Sequence, residues 1–217
     1  MAIGLGQMLG FTFLENFNYP YIAQSIQSFW QRWHMSLSRW FRDYLYIPLG
    51  GNRCSPIRVY LNLMLVFFLC GLWHGASWNF VIWGMIHGLF LVFERLGFGQ
   101  VLSRLWRPLR HLYVILVVML AWVFFRVETL PDAITYLHTL FGFEVAGLKY
   151  PLQNYLNTET LLVLGLALIA ATPLYPAMQA RLHTRANIAL LYHMLLLFVC
   201  SAYLAAQTYN PFIYFRF

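Results

Sequence analysis

From Val59 through Phe93 no residue is Asp, Glu, Lys or Arg, and most are large and apolar. Few structures accommodate such a run. In lipid every backbone N–H and C=O must be paired internally, so one run on its own can cross only as a helix. About 20 apolar residues cross the hydrocarbon core, which makes the run too long for one simple span. Small and polar residues interrupt it at Gly71–Asn79. The pattern predicts a helix over 59–70, a break carrying His74, and a second helix over 79–93. Irregular backbone at membrane depth persists only where protein or a wet cavity surrounds it. The break is therefore expected to line a pocket.

Composition extends this to the whole chain. Of 217 residues, 61% are hydrophobic and 10% charged, against about 25% charged in soluble domains. Lipid must cover much of the surface, and the expected class is an all-α integral membrane bundle. The net charge of +7 does not indicate nucleic acid, because the basic residues lie between apolar runs and form no stripe. They read as topology determinants and headgroup contacts. Cys54, Cys70 and Cys200 share no close spacing, so neither a disulfide framework nor a metal site is indicated. Residues 1–20 lack the basic start of a signal peptide. Gly4, Gly6 and Gly10 read as part of a helix already under way, and Met1 as an internal methionine of a longer protein.

Upstream of the long run, Ile22, Ile26, Phe29, Trp33, Leu37, Trp40 and Tyr44 recur at helical spacing, with Gln24, Gln27, Gln31, Arg32, Arg39 and Arg42 mostly elsewhere. This predicts one amphipathic interfacial helix over 22–46, ended by Pro48 and Gly50–Gly51. Downstream, 94–110 reads as a basic loop, 111–125 as a span, 131–141 as a short helix, and 159–175 and 188–206 as two further spans. If 59–93 returns to the side it left, loops 32–58, 94–110 and 176–187 share one face. That face then holds every basic residue of the 14 except Arg126, Lys149 and Arg216, and is expected to be cytoplasmic. No internal repeat or low-complexity segment is visible.

His74 leads the residues that could carry chemistry. It sits in Gly71-Leu72-Trp73-His74-Gly75-Ala76-Ser77-Trp78-Asn79, and an ionisable residue at membrane depth is costly. An imidazole can take a hydroxyl proton near neutral pH, and flanking glycines let a substrate approach the backbone. It can equally hydrogen-bond a neighbouring helix, and the residues alone leave both roles open. His34, beside Trp30 and Trp33, is the second candidate; its alternative is an interfacial imidazole facing headgroups. His87 and His193 read as packing residues, and His111, His138 and His183 as solvated. Asp43 reads as an ion-pair partner of a nearby Arg. The 19% of aromatic residues suits interfacial belts or an acyl pocket. No phosphate loop, paired-carboxylate motif or serine-nucleophile motif appears.

Two stretches carry a resemblance. Arg32-Trp33-His34-Met35-Ser36-Leu37-Ser38-Arg39-Trp40-Phe41-Arg42-Asp43-Tyr44-Leu45-Tyr46-Ile47-Pro48-Leu49-Gly50-Gly51-Asn52-Arg53 and the Gly71–Asn79 stretch resemble signatures of the membrane-bound O-acyltransferase superfamily, in the branch of alginate O-acetyltransferase and the teichoic-acid D-alanylation protein. Glu15–Tyr21 and the tail Pro211–Phe215 are similar to the alginate-type branch; Leu14 departs from it, where Pro would be expected. The resemblance implies that the chain is a C-terminal half. It also implies that His74 is the catalytic histidine and His34 the second signature histidine. Trp73, Gly75, Ser77, Trp78, Asn79, Arg39 and Asp43 become substrate-pocket candidates.

The implied activity is transfer of an acetyl group from a cytoplasmic donor, acetyl-CoA, toward hydroxyls of an extracytoplasmic polysaccharide such as alginate, directly or through a periplasmic relay protein. The implied location is the bacterial inner membrane, with no bound cofactor and no metal. Three alternatives stand beside it: D-alanyl or other acyl transfer to a cell-wall polymer, a His-relay transporter, and an inactive fragment. A transporter should show paired halves with matched broken helices, and no second half matches here. The half-length chain alone is expected to be poorly stable and inactive.

Overall fold

The long uncharged run folds as a helical hairpin in a computed structural model that describes residues 2–143, 155–182 and 186–206. Its first arm is Pro56–His74 and its second starts at Trp78. All regular structure among the described residues is helical. In chain order the elements are α1 (Ala2–Met8), a 3-10 turn (Pro20–Ile22), α2 (Ile26–Trp30), α3 (Met35–Phe41), a π-helical turn (Arg42–Tyr46), α4 (Pro56–His74) and α5 (Trp78–Phe93). A π-helical segment (Glu94–Phe98), α6 (Gly99–Arg104), α7 (Arg107–Arg126), α8 (Leu130–Leu140) and α9 (Thr158–Ala170) follow. The chain divides into two units at residue 172; the second contains α10 (Leu174–Leu182) and α11 (Ala186–Ala206).

Glycine brings the hairpin arms together. A methyl group on Gly71 would overlap the Phe80 carbonyl, one on Gly84 the Phe67 carbonyl, and one on Gly88 would press on Phe67 Cβ at 3.0 Å. Backbone therefore lies against backbone, as small residues allow between helices in lipid. The expected break at Gly71 is corrected by this packing. Gly71 is helical, α4 runs on through His74, and only Gly75–Ser77 leave the helix. At 1.5 Å per residue, α4 is about 28 Å long, close to the hydrocarbon thickness of about 30 Å. His74 thus ends a full-length helix.

Helix α7 lays Val114, Val117, Val118 and Ala121 into the core shared with the hairpin. Pro56–His74, Trp78–Arg104 and Arg107–Arg126 are the three described helices long and apolar enough to cross a membrane. The expected span 159–175 is instead the 13-residue α9, a turn, and α10. The expected span 188–206 lies within the 21-residue α11, Ala186–Ala206. Much of the expected loop 176–187 is helical, as α10 and the start of α11. Lys149, His183, Arg185, the tail 210–217 and the side chain of Arg181 lie outside the described residues.

Two further expectations are corrected. Residues 22–46 are not one interfacial helix. The chain breaks between α2 and α3, where His34 is left-handed at φ 46°, ψ 51°. Ile26, Phe29 and Trp30 are buried, with Trp30 edge-on to Phe67 at 4.9 Å and to Trp83 at 5.9 Å, while Trp40 and Tyr44 of the supposed apolar face are exposed. Burying three large side chains against α4 and α5 outweighs continuation of a helix along the surface.

Residues 94–110 are not a loop: the helical path of α5 continues through the π segment, with a kink at Gly97 (φ 128°), into α6. Glu94, assigned to that loop, is buried. Its carboxyl accepts the N–H groups of Ile26 (2.6 Å) and Gln27 (3.1 Å) and the Tyr113 hydroxyl (3.1 Å). A carboxyl at a helix N-terminus satisfies its open N–H groups and matches its dipole, and this one docks α2 onto the bundle.

Candidate active site

The two signature histidines come from elements forty positions apart in sequence and meet at the turn end of the hairpin. Their ring centroids are 6.5 Å apart at 69°. This spacing leaves room for one oxygen hydrogen-bonded to a nitrogen of each ring at about 2.8 Å.

His74 is the last residue of α4, and its ring meets an aromatic shell: Trp73 at 4.8 Å, Trp83 at 4.9 Å, Phe125 at 5.2 Å and Phe80 at 6.3 Å. Edge-to-face rings hold an imidazole in orientation while leaving its nitrogens to polar partners. The shell draws on α4, α5 and α7, so the bundle must be assembled before this ring is fixed.

His34 lies between Phe17 at 6.4 Å and Trp73 at 6.0 Å. Its Nδ1 is buried and has no hydrogen-bond partner among the described residues. Burial pushes the imidazole below the ordinary histidine range, because the charged form loses more hydration than the neutral one. The neutral form so favoured carries one N–H donor and one acceptor nitrogen. An open groove of about 470 Å³ lined by His34, Ser36, Leu37, Trp40, Phe41 and Trp73 reaches it from outside.

The other sequence candidates divide by position. Trp73 bridges both histidines. Gly75 ends α4, and Ser77 caps α5 by accepting the Asn79 N–H at 3.3 Å. Asn79, 2% exposed, donates to the Val127 carbonyl at 2.7 Å and ties the hairpin turn to the end of α7. These three build the turn that presents His74. Trp78 is exposed beside it. Arg39 is exposed and does not line the His34 groove. Asp43 pairs with Arg42 at 2.7 Å on the surface, and that hydrogen bond holds its carboxyl below the usual range. His87, 1% exposed, stacks on Phe29 as a packing residue. His111 meets the Ala23 carbonyl at 3.0 Å, and His193 meets the Tyr175 hydroxyl at 3.3 Å.

Sequence reading missed Trp83 and Phe125 in the His74 shell and Asn16 beside His34. The two shell residues lie on apolar helices and have no local spacing relation to His74. Asn16 lies in the Glu15–Tyr21 stretch, which carried a resemblance but no role.

The model of the membrane-bound O-acyltransferase family matches residues 1–133, which include both histidines. The chain is 41% identical, over its whole length, to the probable alginate O-acetylase AlgI of Azotobacter vinelandii, covering 50% of that protein. It is 52% identical over 66% of its length to the probable alginate O-acetylase AlgI of Pseudomonas aeruginosa, covering 28% of it. It is 44% identical over 65% of its length to the peptidoglycan O-acetyltransferase of Helicobacter pylori, again covering 28%. The chain spans about half the length of the curated relatives that it matches from end to end.

Proposed function

Because this chain belongs to the membrane-bound O-acyltransferase family, we propose that it carries the histidine side of an O-acyl transfer site, with His74 as general base and His34 as its second imidazole. The observation that supports this most is the 6.5 Å approach of the two rings inside an aromatic shell. An acceptor hydroxyl placed between them gives its proton to His74 as its oxygen attacks the carbonyl carbon of an acyl thioester. The C–S bond then breaks, and the leaving thiolate takes the proton back from the imidazolium. His34 donates a ring N–H to the acceptor oxygen and holds it in line. Assistance of this kind contributes about 10² to 10⁴-fold in rate.

The donor in this reading is acetyl-CoA on the cytoplasmic side. The acceptor is an extracytoplasmic polysaccharide such as alginate or a periplasmic acetyl-relay protein, and the site lies in the bacterial inner membrane. Acetyl is favoured over D-alanyl because the relatives matched over most of the chain are named O-acetylases.

The test uses the intact transferase in cells that lack their own copy, with polymer-linked acetyl measured as acetate released by base. His74→Ala and His74→Gln should both abolish acetylation while the protein stays in the membrane, since an amide keeps hydrogen bonding but cannot shuttle a proton. Substantial acetylation by the Gln variant would show that His74 is structural.

A further inference from the structure

The first N–H groups of a helix have no partner within it, and the N-cap side chain usually accepts one of them. Ser25, Ser77, Thr129 and Asn157 do this locally for α2, α5, α8 and α9. Helix α3 differs. Its N-cap is His34, whose side chain makes no cap bond. Instead Asn16, twenty residues upstream, offers its Oδ1 to the Ser36 N–H at 3.0 Å and to the Ser36 hydroxyl at 2.9 Å. The Asn16 carbonyl also accepts the Met35 N–H at 2.9 Å.

We propose that Asn16 is a positioning residue for His34: it caps α3 from outside the helix and so leaves the His34 ring facing His74. This rests on the reading of His34 as a site residue.

The backbone shows why an external cap is needed. His34 sits in the left-handed region, which side chains with a Cβ rarely occupy, so the turn persists only if both flanks are held. Downstream, Asn16 grips Met35 and Ser36. Upstream, the Asn18 N–H donates to the Arg32 carbonyl at 2.8 Å, and the Arg32 guanidinium donates to the Asn18 carbonyl at 3.1 Å. Between them Phe17 packs edge-on against Trp33 at 4.9 Å. Residues 16–18 form a strap across 32–36. Without the Asn16 oxygen, residue 34 is free to relax toward an ordinary conformation, which turns the imidazole away from its partner. Both donors on Ser36 need an oxygen acceptor, so Asp can replace Asn and Ala cannot.

The experiment measures kcat and donor KM for the full-length transferase in its own membranes, with acetyl-CoA as the probe. Asn16→Ala should lower kcat by about 10- to 100-fold, the scale of a displacement near 1 Å, with KM unchanged within about twofold. Asn16→Asp should recover kcat to within about threefold of the parent. Wild-type kcat in Asn16→Ala, or an Asp variant no better than Ala, overturns the proposal. Should Asn16→Ala be lost from the membrane, Asn16→Gln carries the test: it moves the amide oxygen by one methylene, kcat must fall at constant KM, and an unchanged kcat overturns the assignment. His34→Ala run in parallel separates the two ideas. Full activity in it defeats the reading of His34 itself; an inactive His34→Ala beside a wild-type Asn16→Ala defeats only the role of Asn16.

Discussion

At the scale of single residues, the proposed site needs two imidazoles held in fixed orientation. Burial lowers the His34 proton affinity, so the folded chain binds that proton at a lower pH than the unfolded chain, where histidine titrates near about 6.5. The linkage sign follows. The contribution is intact above that value, and stability falls as pH drops through it toward the folded value. The detergent-solubilised protein should therefore lose more of its thermal midpoint between pH 7.5 and pH 5 than its His34→Gln variant does; equal losses would mean that His34 is solvated. Arg42 and Asp43 behave differently. Their ion pair is on the surface, where such pairs are worth little. Asp43→Asn is expected to leave the thermal midpoint unchanged, and a marked drop would reveal a partner other than Arg42.

At the scale of elements, two contacts hold helices of the bundle together. The α4–α5 crossing depends on Gly84, where any Cβ meets the Phe67 carbonyl. Overpacking of this kind costs about 1–3 kcal/mol. A methyl group on Gly165, in α9, would meet nothing within 4 Å among the described residues, and Ala there should be neutral or stabilising by up to about 1 kcal/mol. The thermal midpoint in detergent should therefore fall for Gly84→Ala and stay level or rise for Gly165→Ala, and a tolerated Gly84→Ala would count against backbone-close packing. Glu94 is the second contact. Glu94→Ala strands the buried Ile26 N–H, a loss of about 1–3 kcal/mol, and should loosen α2 without touching either histidine. Increased hydrogen exchange confined to α2 and the π segment would show this; unchanged protection there would refute it.

At the scale of the molecule, the ends of the three long helices follow the charge bias, but the expected one-sided segment 32–58 is corrected: His34 meets His74 at the end of α4, whereas Arg58 lies at its start. Helices α4 and α5 run antiparallel, and the Asn79–Val127 hydrogen bond sets the end of α7 beside the hairpin turn. Arg58, Arg104 and Arg107 therefore lie at the opposite ends of these helices from His74. Positive residues favour the cytoplasm, so cysteines placed at Ser55 and Trp106 in a cysteine-free background should label from the cytoplasmic side and one at Ala76 from the other. Labelling of all three from one side would break the assignment of the spans.

The sequence alone was enough for the helical class and the three long apolar helices, because lipid solvation and hydrogen-bond closure act on local composition. Helix α8 was legible for the same kind of reason: Thr129 caps it and Pro131 opens it. What composition could not reveal was where helices stop. Gly71 looks like a breaker by propensity but is a packing surface, because the Phe80 backbone lies against it. The periodic stripe over 22–46 contains a left-handed histidine, and the distant Asn16 accepts the N–H groups of the two residues after it. The glutamate in a basic stretch is a buried docking group, because the N-terminus of α2 lies against it. In each case the deciding partner lies outside the local window, and only tertiary packing brings it within reach.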